Sequence, residues 1–595
     1  MASRVGLDGV QARNEDSLDV LDRGSYLAYI YSEMDRILRR ALGNRVKAVA
    51  IVHASSLPRP ITQSQPSPQT AIDLCLILDP EHAFRLIDRG PAVDAPQPEI
   101  DAFRQLWGDK AELRRFADGS IIECVVWEGD GERAEIPTRI VKHILARHFN
   151  LKKACNVHSA YNQLVVQHES VLRLMIGNGP IGGYKGAMQA FDELVKAIKG
   201  MTLPLSLVAC LPCVEELRYT SVFLPSPVPL TRLERIPECL RYTPIYDAVL
   251  QFEKSAKWPD DLGAIQKLKL AWFEAIAKEI MAKLEGSYAR VAMDVLASPV
   301  EDGAGLEIVL PTGYGFRLRV YHDREKLLLE KAISDKSLQP FQRADAERAL
   351  EVHKNRFLDL PRHHSAIINV HYRHAGFSPT VRLVKRWFSA HLLSNFISPE
   401  LVELLCAYVF LRPDPQVTPT TGPAGFARTV TFLSTWDWRN SLLAVPLYSV
   451  AGGDAVKEVT FLPDVRNAVV TAFEERRARD PGMSSGAWHI ATEQDIDGVW
   501  WCRNGRGPTP MVADRVVALA KATVEVIQQG LESHLSVKVI RFQAIPLTSV
   551  SDQPSSRLCT IIHWMAMTSS FTWIPPNSQD MLKTCFLMRK FGKMP

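Results

Sequence analysis

The sequence predicts an α+β multidomain protein. Stretches with helical apolar spacing alternate with short apolar runs, and Gly, Pro, Asn and Asp separate them. The 595-residue length also exceeds what one core organises, about 150 residues per domain being the soft expectation. Hydrophobic content of 46% and charged content of 23% are ordinary for a globular chain, neither disordered nor membrane-like. The 70 Lys+Arg against 66 Asp+Glu leave a formal charge of +4, so any nucleic-acid contact would come from local patches. The 10 Cys are scattered without a dense framework, which fits a reducing compartment. No apolar run approaches the ~20 residues of a membrane span, and MASRVGLDGVQARNEDSLD is too polar for a secretory signal. The expectation is an intracellular protein without membrane contact.

Residues 1–25 read as a polar lead-in. Tyr26 to Leu42 has Ile30, Met34, Ile37 and Leu38 on one helical face and Arg36, Arg39 and Arg40 off it. VKAVAIVHA (Val46 to Ala54) and AIDLCLIL (Ala71 to Leu78) read as strands around a Pro-rich loop, Leu57 to Gln69. EHAFRLIDRGP reads as a short helix closed by Gly90-Pro91. Phe103 to Trp127 reads as a helix, a turn at Asp118-Gly119 and a strand. Ile136 to Ile176 is largely helical in pattern, and GNGPIGGYKG (Gly177 to Gly186) breaks it. Met188, Phe191, Leu194, Val195 and Ile198 then mark a helix leading through LPLSLVACLP into a strand. Leu262 to Glu285 is a further helix, Leu306 to Lys331 gives two strands and a helix, and Phe341 to Phe357 is a connecting helix.

The most structured stretch is Phe377 to Leu411. Ser378 and Pro379 form a helix start, with Val381, Val384, Phe388 and Leu392 on one stripe and Arg382, Lys385, Arg386 and Ser389 opposite. Trp387 flanks the buried stripe. Ser398-Pro399-Glu400 repeats the start signal before Leu401, Leu404, Leu405 and Tyr408. The expectation is a helical hairpin with a basic outer face.

TVRLVKRWFSAHLLS, ELVELLCAYVFL and GFARTVTFLSTWDWRN, in this order, resemble the helical domain of the Nrap family of nucleolar RNA-associated proteins. LWGDKAELRRF with DGSIIE is similar to that family's third domain, and the pieces from Met188 to Lys331 to its second nucleotidyltransferase-like domain. AWHIATEQDIDGVWW and VADRVVALAKATVEVI match the closing elements of the helical domain, and the resemblance ends near Gln543. It implies a nucleotidyltransferase-like α/β domain flanked by an α+β domain and a helical poly(A) polymerase/oligoadenylate synthetase-like domain. The implied division is a third Nrap domain at 26–155, a nucleotidyltransferase-like domain without an active site at 170–355, the helical domain at 356–530, and a truncated or aberrant segment at 531–595. The family's first two domains are not matched. By resemblance, the protein is a nucleolar component of the small-subunit processome that contacts pre-ribosomal RNA and assembly factors. In fungi these include an Rrp-type partner and casein kinase.

Active nucleotidyltransferases need a Gly-Ser turn for the triphosphate, a DxD on the next strand and a third carboxylate, because two hard cations demand clustered carboxylates. LPCVEELRYTSVFLP, after the strand LPLSLVAC, has neither the turn nor the DxD. The rival reading, an active Mg²⁺-dependent RNA nucleotidyltransferase, has only Asp495, Asp497 and Glu307 to draw on, and these would have to converge in one cleft. Asp495-Ile496-Asp497 is followed by Gly498 and reads as a solvated turn. His363, His364, His371 and His374 have no Cys or carboxylate at ligand spacing and read as surface or RNA-facing groups. Cys210 and Cys213 form a single CxxC and read as core or strand-end cysteines. No catalytic residue, metal site or cofactor is expected. The RNA-contact candidates are basic groups: Arg382, Lys385 and Arg386 on one helix face, Arg317 and Arg319 on one strand face, and Lys110, Arg114 and Arg115 on one helix. Trp387, Trp436 and Trp438 can stack bases, but their apolar neighbours favour core packing.

Overall fold

The computed structural model describes residues 2–6, 26–53, 71–127, 133–151, 183–228, 244–255, 258–294, 297–298, 300–413, 416–448, 461–498, 500–502 and 507–535. The Pro-rich loop, the helical pattern beyond Leu151, most of GNGPIGGYKG and the tail from 536 lie outside these residues.

The first lobe begins with strand β1 (Ala2–Gly6), where a lead-in was expected. It pairs with β3 (Ala71–Leu78), whose other edge carries β2 (Val46–His53), so the three strands satisfy each other's backbone in the order β1-β3-β2. Helix α1 (Tyr26–Leu42) buries Ile30, Met34 and Leu38, as its spacing requires. A second sheet, ordered β4-β6-β5, comprises β4 (Ile87–Ala92), β5 (Glu112–Arg115) and β6 (Ile121–Val126), with α2 (Gln97–Trp107) between its first two strands. The expected helix around Gly90-Pro91 is therefore an edge strand. Its register shifts between Arg89 and Ala92, where Gly and Pro are tolerated. Asp88 on β4 accepts from the fully buried Arg45 (2.9 Å) and from Trp127 Nε1 (2.8 Å). Helix α3 (Ile136–Phe149) caps the end of α2. His143, Arg147 and His148 donate to the carbonyls of Trp107, Gln105 and Leu106, favourable placements for basic groups at a helix C-terminus.

The middle lobe is a five-stranded sheet ordered β7-β8-β11-β10-β9: β7 (Leu207–Pro212), β8 (Ile245–Phe252), β9 (Tyr288–Met293), β10 (Ala304–Val309) and β11 (Gly315–Tyr321). Only β8 and β11 run parallel. Helices α4 (Tyr184–Lys199) and α5 (Leu262–Lys283) pack on the face formed by Tyr246, Ala248, Leu250, Leu306, Ile308, Phe316, Leu318 and Val320. Buried Lys269 of α5 is held by Asp302 (2.8 Å) and by both oxygens of Glu325 on α6 (Asp323–Ser334). Burial disfavours its charge, and the two carboxylates restore it.

Helix α7 (Pro340–Lys354) passes through a wide turn, Asn355–Asp359, into α8 (Leu360–Arg373). Pro361 cannot donate to the preceding turn, which accounts for the widening. The last lobe adds α9 (Phe377–Ala390), α10 (Pro399–Leu411), α11 (Gly422–Thr435), α12 (Pro463–Arg479) and α13 (Pro510–Leu535), with a short parallel pair, β12 (Leu443–Ala444) and β13 (Ile490–Ala491). Ser398 caps α10 by accepting from Leu401 N at 3.2 Å, as expected. Ser378 does not cap α9: Gly376 takes that place, and the Ser378 hydroxyl bonds His371 Nδ1 at 2.7 Å. Val381, Val384 and Phe388 are buried, but Leu392 lies past the helix end and is 81% exposed. Trp387 and Trp438 are core residues, and half-buried Trp436 stacks on Phe432. Among the described residues no helix is long and apolar enough to cross a membrane.

Candidate functional site

Strand alternation gives the five-stranded sheet a second, polar face. In register, Arg317 of β11 lies opposite Asp247 of β8 and Glu307 of β10, and Glu307 lies opposite Arg290 of β9. The result is a row across four strands that alternates in sign. Arg290 donates Nε and Nη2 to Glu307 Oε2 at 2.9 and 2.8 Å, and Arg317 donates the same atoms to Oε1 at 3.2 and 2.7 Å. Burial raises the Glu307 carboxyl's affinity for a proton, but these four bonds outweigh it and hold the group below its usual range. Asp247 Oδ1 lies 3.9 Å from both Arg317 Nη1 and Arg319 Nε. Burial, reinforced by Arg356, pushes Arg319 down to about 10.

Among the described residues the strand after β7 is β8, which places Asp247 and Val249 at the spacing of a DxD. Val249 is buried against Cys213 and Phe357, and its register partner is Arg319. On this face β8 therefore offers one carboxylate, Asp247, and one valine, both facing guanidiniums of β11. The sequence reading missed Asp247 because it sought a pair of acids nearer β7. The alternation of IYDAVLQF, with Tyr246, Ala248 and Leu250 inward, is the signal that marks it.

The segment after β7 is engaged elsewhere. A 3₁₀ turn, Glu216–Arg218, brings Arg218 to Glu403 of α10, with Nε 3.1 and 2.9 Å from the two carboxylate oxygens. Glu403 also accepts from Thr220 Oγ1 (2.6 Å), His363 Nε2 (2.7 Å) and Lys385 Nζ (2.7 Å), and Lys385 further binds Glu215. Burial raises Glu403, but Arg218, Lys385 and the His363 hydrogen bond hold it well below the usual carboxylate range. Beside this network Tyr219, at φ 65°, stacks on His371 with centroids 4.3 Å apart. Arg133 of the first lobe donates to the Tyr372 carbonyl at 2.7 Å, so all three lobes meet here.

The expected basic outer face is thus an interior one. Arg382, Lys385 and Arg386 are all buried, and Arg382 donates to the Val222 carbonyl at 3.3 Å across the lobe boundary. Their spacing resembled a solvated stripe because the partner Glu403 sits in an otherwise apolar helix far along the chain. Lys110, Arg114 and Arg115 do not share a helix. Lys110 ends a 3₁₀ turn with its ammonium over Trp127, while Arg114 and Arg115 lie on β5 and point to opposite sides. His363 and His364 are buried rather than at the surface, and burial pushes His364 down to about 3. Cys210 ends up on β7 and Cys213 just beyond it, both free thiols; burial pushes Cys210 up to about 12. Asp495 sits in a turn with Gly498 at φ 61°, but it is buried and accepts from Trp500 N at 3.1 Å. It belongs to the last lobe and Glu307 to the middle one, and no group of three His, Cys, Asp or Glu able to hold a metal occurs among the described residues.

Three consecutive family models match the chain: Nrap protein domain 3 over residues 4–150, Nrap protein nucleotidyltransferase domain 4 over 169–372, and Nrap protein PAP/OAS1-like domain 5 over 374–543. The chain belongs to the Nrap family. Its middle lobe is the nucleotidyltransferase-like unit, flanked by an α+β lobe and a helical PAP/OAS-like lobe. U3 small nucleolar RNA-associated protein 22 of Schizosaccharomyces pombe is 32% identical over 520 residues, which is 86% of this chain and 44% of that protein. Nucleolar protein 6 of Homo sapiens is 29% identical over 530 residues, 85% of this chain and 43% of that protein. The chain spans less than half the length of these relatives. Terminal uridylyl transferase 4 from Trypanosoma brucei with bound GTP aligns over 62% of this chain and 97% of that one, at 11% identity and a TM-score of 0.32, too distant to carry an argument.

Proposed function

We propose that this Nrap chain is a non-catalytic nucleolar scaffold of the small-subunit processome, supporting pre-rRNA processing and small-subunit assembly by binding RNA and assembly proteins. The names of its relatives, one nucleolar and one associated with U3 small nucleolar RNA, support the location and the process. The observation that carries the non-catalytic part is the pairing of Val249 with Arg319, since neither residue can ligate a cation at the position of a second DxD carboxylate. The partners are pre-ribosomal RNA and processome proteins, including an Rrp-type protein and casein kinase. Of the basic groups, Lys110, Arg114, Arg115 and Arg317 remain accessible or partly so, whereas Arg319, Arg382, Lys385 and Arg386 are withdrawn from the RNA surface by burial.

The test is to tag the chain in cells, isolate it at moderate salt and identify the RNA and proteins that accompany it. Small-subunit precursor RNA with assembly proteins is the expected recovery. Recovery of neither, or extension of an RNA primer by the purified chain with Mg²⁺ and nucleoside triphosphates, overturns the proposal.

A further inference from the structure

We infer that the solvent-exposed part of the five-stranded sheet's polar face holds RNA backbone phosphate directly on Arg290 and Arg317, with Glu307 as the positioning residue for both guanidiniums. This rests on the reading that the chain binds RNA. The Arg290 side chain is 63% exposed and that of Arg317 31%, so both reach solvent although their hydrogen-bonded edges face a carboxylate that is 10% exposed. Each uses Nε and Nη2 on Glu307, and neither Nη1 makes a hydrogen bond to a described residue. A carboxylate shared by two guanidiniums leaves one positive charge in excess and fixes both planes, so their remaining donors are offered without further loss of side-chain freedom. Arg319 and Arg356 add cations behind the row; Asp247 and Asp294 oppose Arg317, Asp247 and Asp302 oppose Arg319, and Glu301 lies 3.6 Å from Arg356. The chemistry is the counterpart of a metal-dependent site. There, cations held by protein carboxylates bind phosphate; here the cations are part of the chain and need no dissociable ion.

Asp247 gives the test its direction. Its side chain is 41% exposed, at the end of the row and 3.9 Å from Arg317 Nη1, where it repels an incoming phosphate and competes for the same donor. Binding of a single-stranded RNA oligonucleotide to the full chain is followed by fluorescence anisotropy over a series of salt concentrations, with and without EDTA. Asp247→Asn is expected to tighten binding several-fold, an effect that loss of folding cannot imitate. Arg290→Gln, at an exposed position, is expected to weaken it and to lower the log–log salt slope by about 0.7 to 1. EDTA is expected to change nothing. A wild type that binds no RNA overturns the underlying reading and the proposal with it. A wild type that binds RNA while both variants leave affinity and slope unchanged overturns the proposal alone, as does loss of binding in EDTA. Competition by a nucleoside triphosphate near its stoichiometric concentration, beyond its contribution to ionic strength, overturns the RNA-backbone assignment in favour of free nucleotide.

Discussion

Arg218 and Glu403 form a two-point ion pair across a lobe boundary, Nε lying 3.1 and 2.9 Å from the two carboxylate oxygens, with both side chains essentially inaccessible to water. The carboxylate also serves Thr220, His363 and Lys385. Glu403→Gln keeps the shape but leaves the buried guanidinium short of its counter-charge. The expected loss is about 3–5 kcal/mol, the cost of breaking a buried pair by removing one partner. Urea unfolding of the two proteins measures it; a loss below about 1 kcal/mol would show that the lobes are held together by their apolar contacts instead. Adding Arg218→Met is expected to recover part of the loss, because the stranded charge is then gone.

Acid should destabilise the chain in two stages. Burial pushes His364 down to about 3 and His353 and His489 down to about 4. Between those values and the unfolded value of about 6.5 the unfolded state binds more protons, so each histidine removes about 1.4 kcal/mol of stability per pH unit once the pH is well below 6.5. Glu403 has the depressed carboxylate's sign. Its contribution is complete above the unfolded value of about 4.3 and is lost as pH falls further toward the folded one. Chemical denaturation at a series of pH values is expected to show a fall beginning near 6.5 and steepening below 4.3. Burial raises the Glu216 and Glu325 carboxyls to about 7, and these favour the folded state as pH falls from 7 to 4.5, so the fall is measured in a Glu325→Gln background as well. A flat profile from pH 7 to 5 there would mean that these histidines protonate without unfolding.

Helices α9 and α11 approach closely at Gly425, where an added Cβ would lie 1.9 Å from Thr380 Oγ1 and 2.9 Å from Thr380 Cβ. At an open helical position, replacing Gly with Ala gains about 1 kcal/mol. Here the sign reverses, because the Thr380 hydroxyl is fixed on the Gly376 carbonyl at 2.8 Å and cannot swing away freely. Gly425→Ala is expected to cost about 1–3 kcal/mol, the range for overpacking. A thermal melt that shows Gly425→Ala equal to or above wild type would mean that the helices separate at little cost.

Local apolar spacing made much of the fold legible. Tyr26–Leu42 and Ala71–Leu78 form elements with the expected ends, because each has one apolar face and clear breakers. Helix α12 gave little signal, since Val469 is its only fully buried residue among those described. Residues 2–6 were unreadable as a strand, because the edge of β3 that they cover is supplied from elsewhere in the chain. The polar face of the sheet was partly legible: Arg317 and Arg319 share it by their period of two. Their partners Asp247 and Arg290 depend on strand order and register, which no local pattern contains. The same limit turned Arg382, Lys385 and Arg386 into an apparent outer face. A charged stripe looks alike whether water or a buried glutamate from another helix answers it.

Leu392 is a leucine in a glycine's conformation. It follows the end of α9 with φ 60° and is 81% exposed, so its side chain contributes little burial while its backbone sits in the left-handed region. That region costs a non-glycine residue roughly 1–2 kcal/mol. Its N–H donates to the Ser389 carbonyl at 3.0 Å, and the next N–H, of Leu393, reaches the Phe388 carbonyl at 3.0 Å, so the conformation closes the helix and cannot simply relax. Leu393 is buried, which holds the turn from its other side. Leu392→Gly removes the strain but also loosens the unfolded chain by about 0.4–1 kcal/mol. The expected net is a stabilisation of up to about 1 kcal/mol, a rise in melting temperature where most glycine substitutions lower it. Leu392→Ala retains the Cβ, and hence most of the strain, and is expected to change little. A melting temperature lowered by both substitutions would instead mean that the exposed leucine side chain stabilises the helix end through contacts of its own.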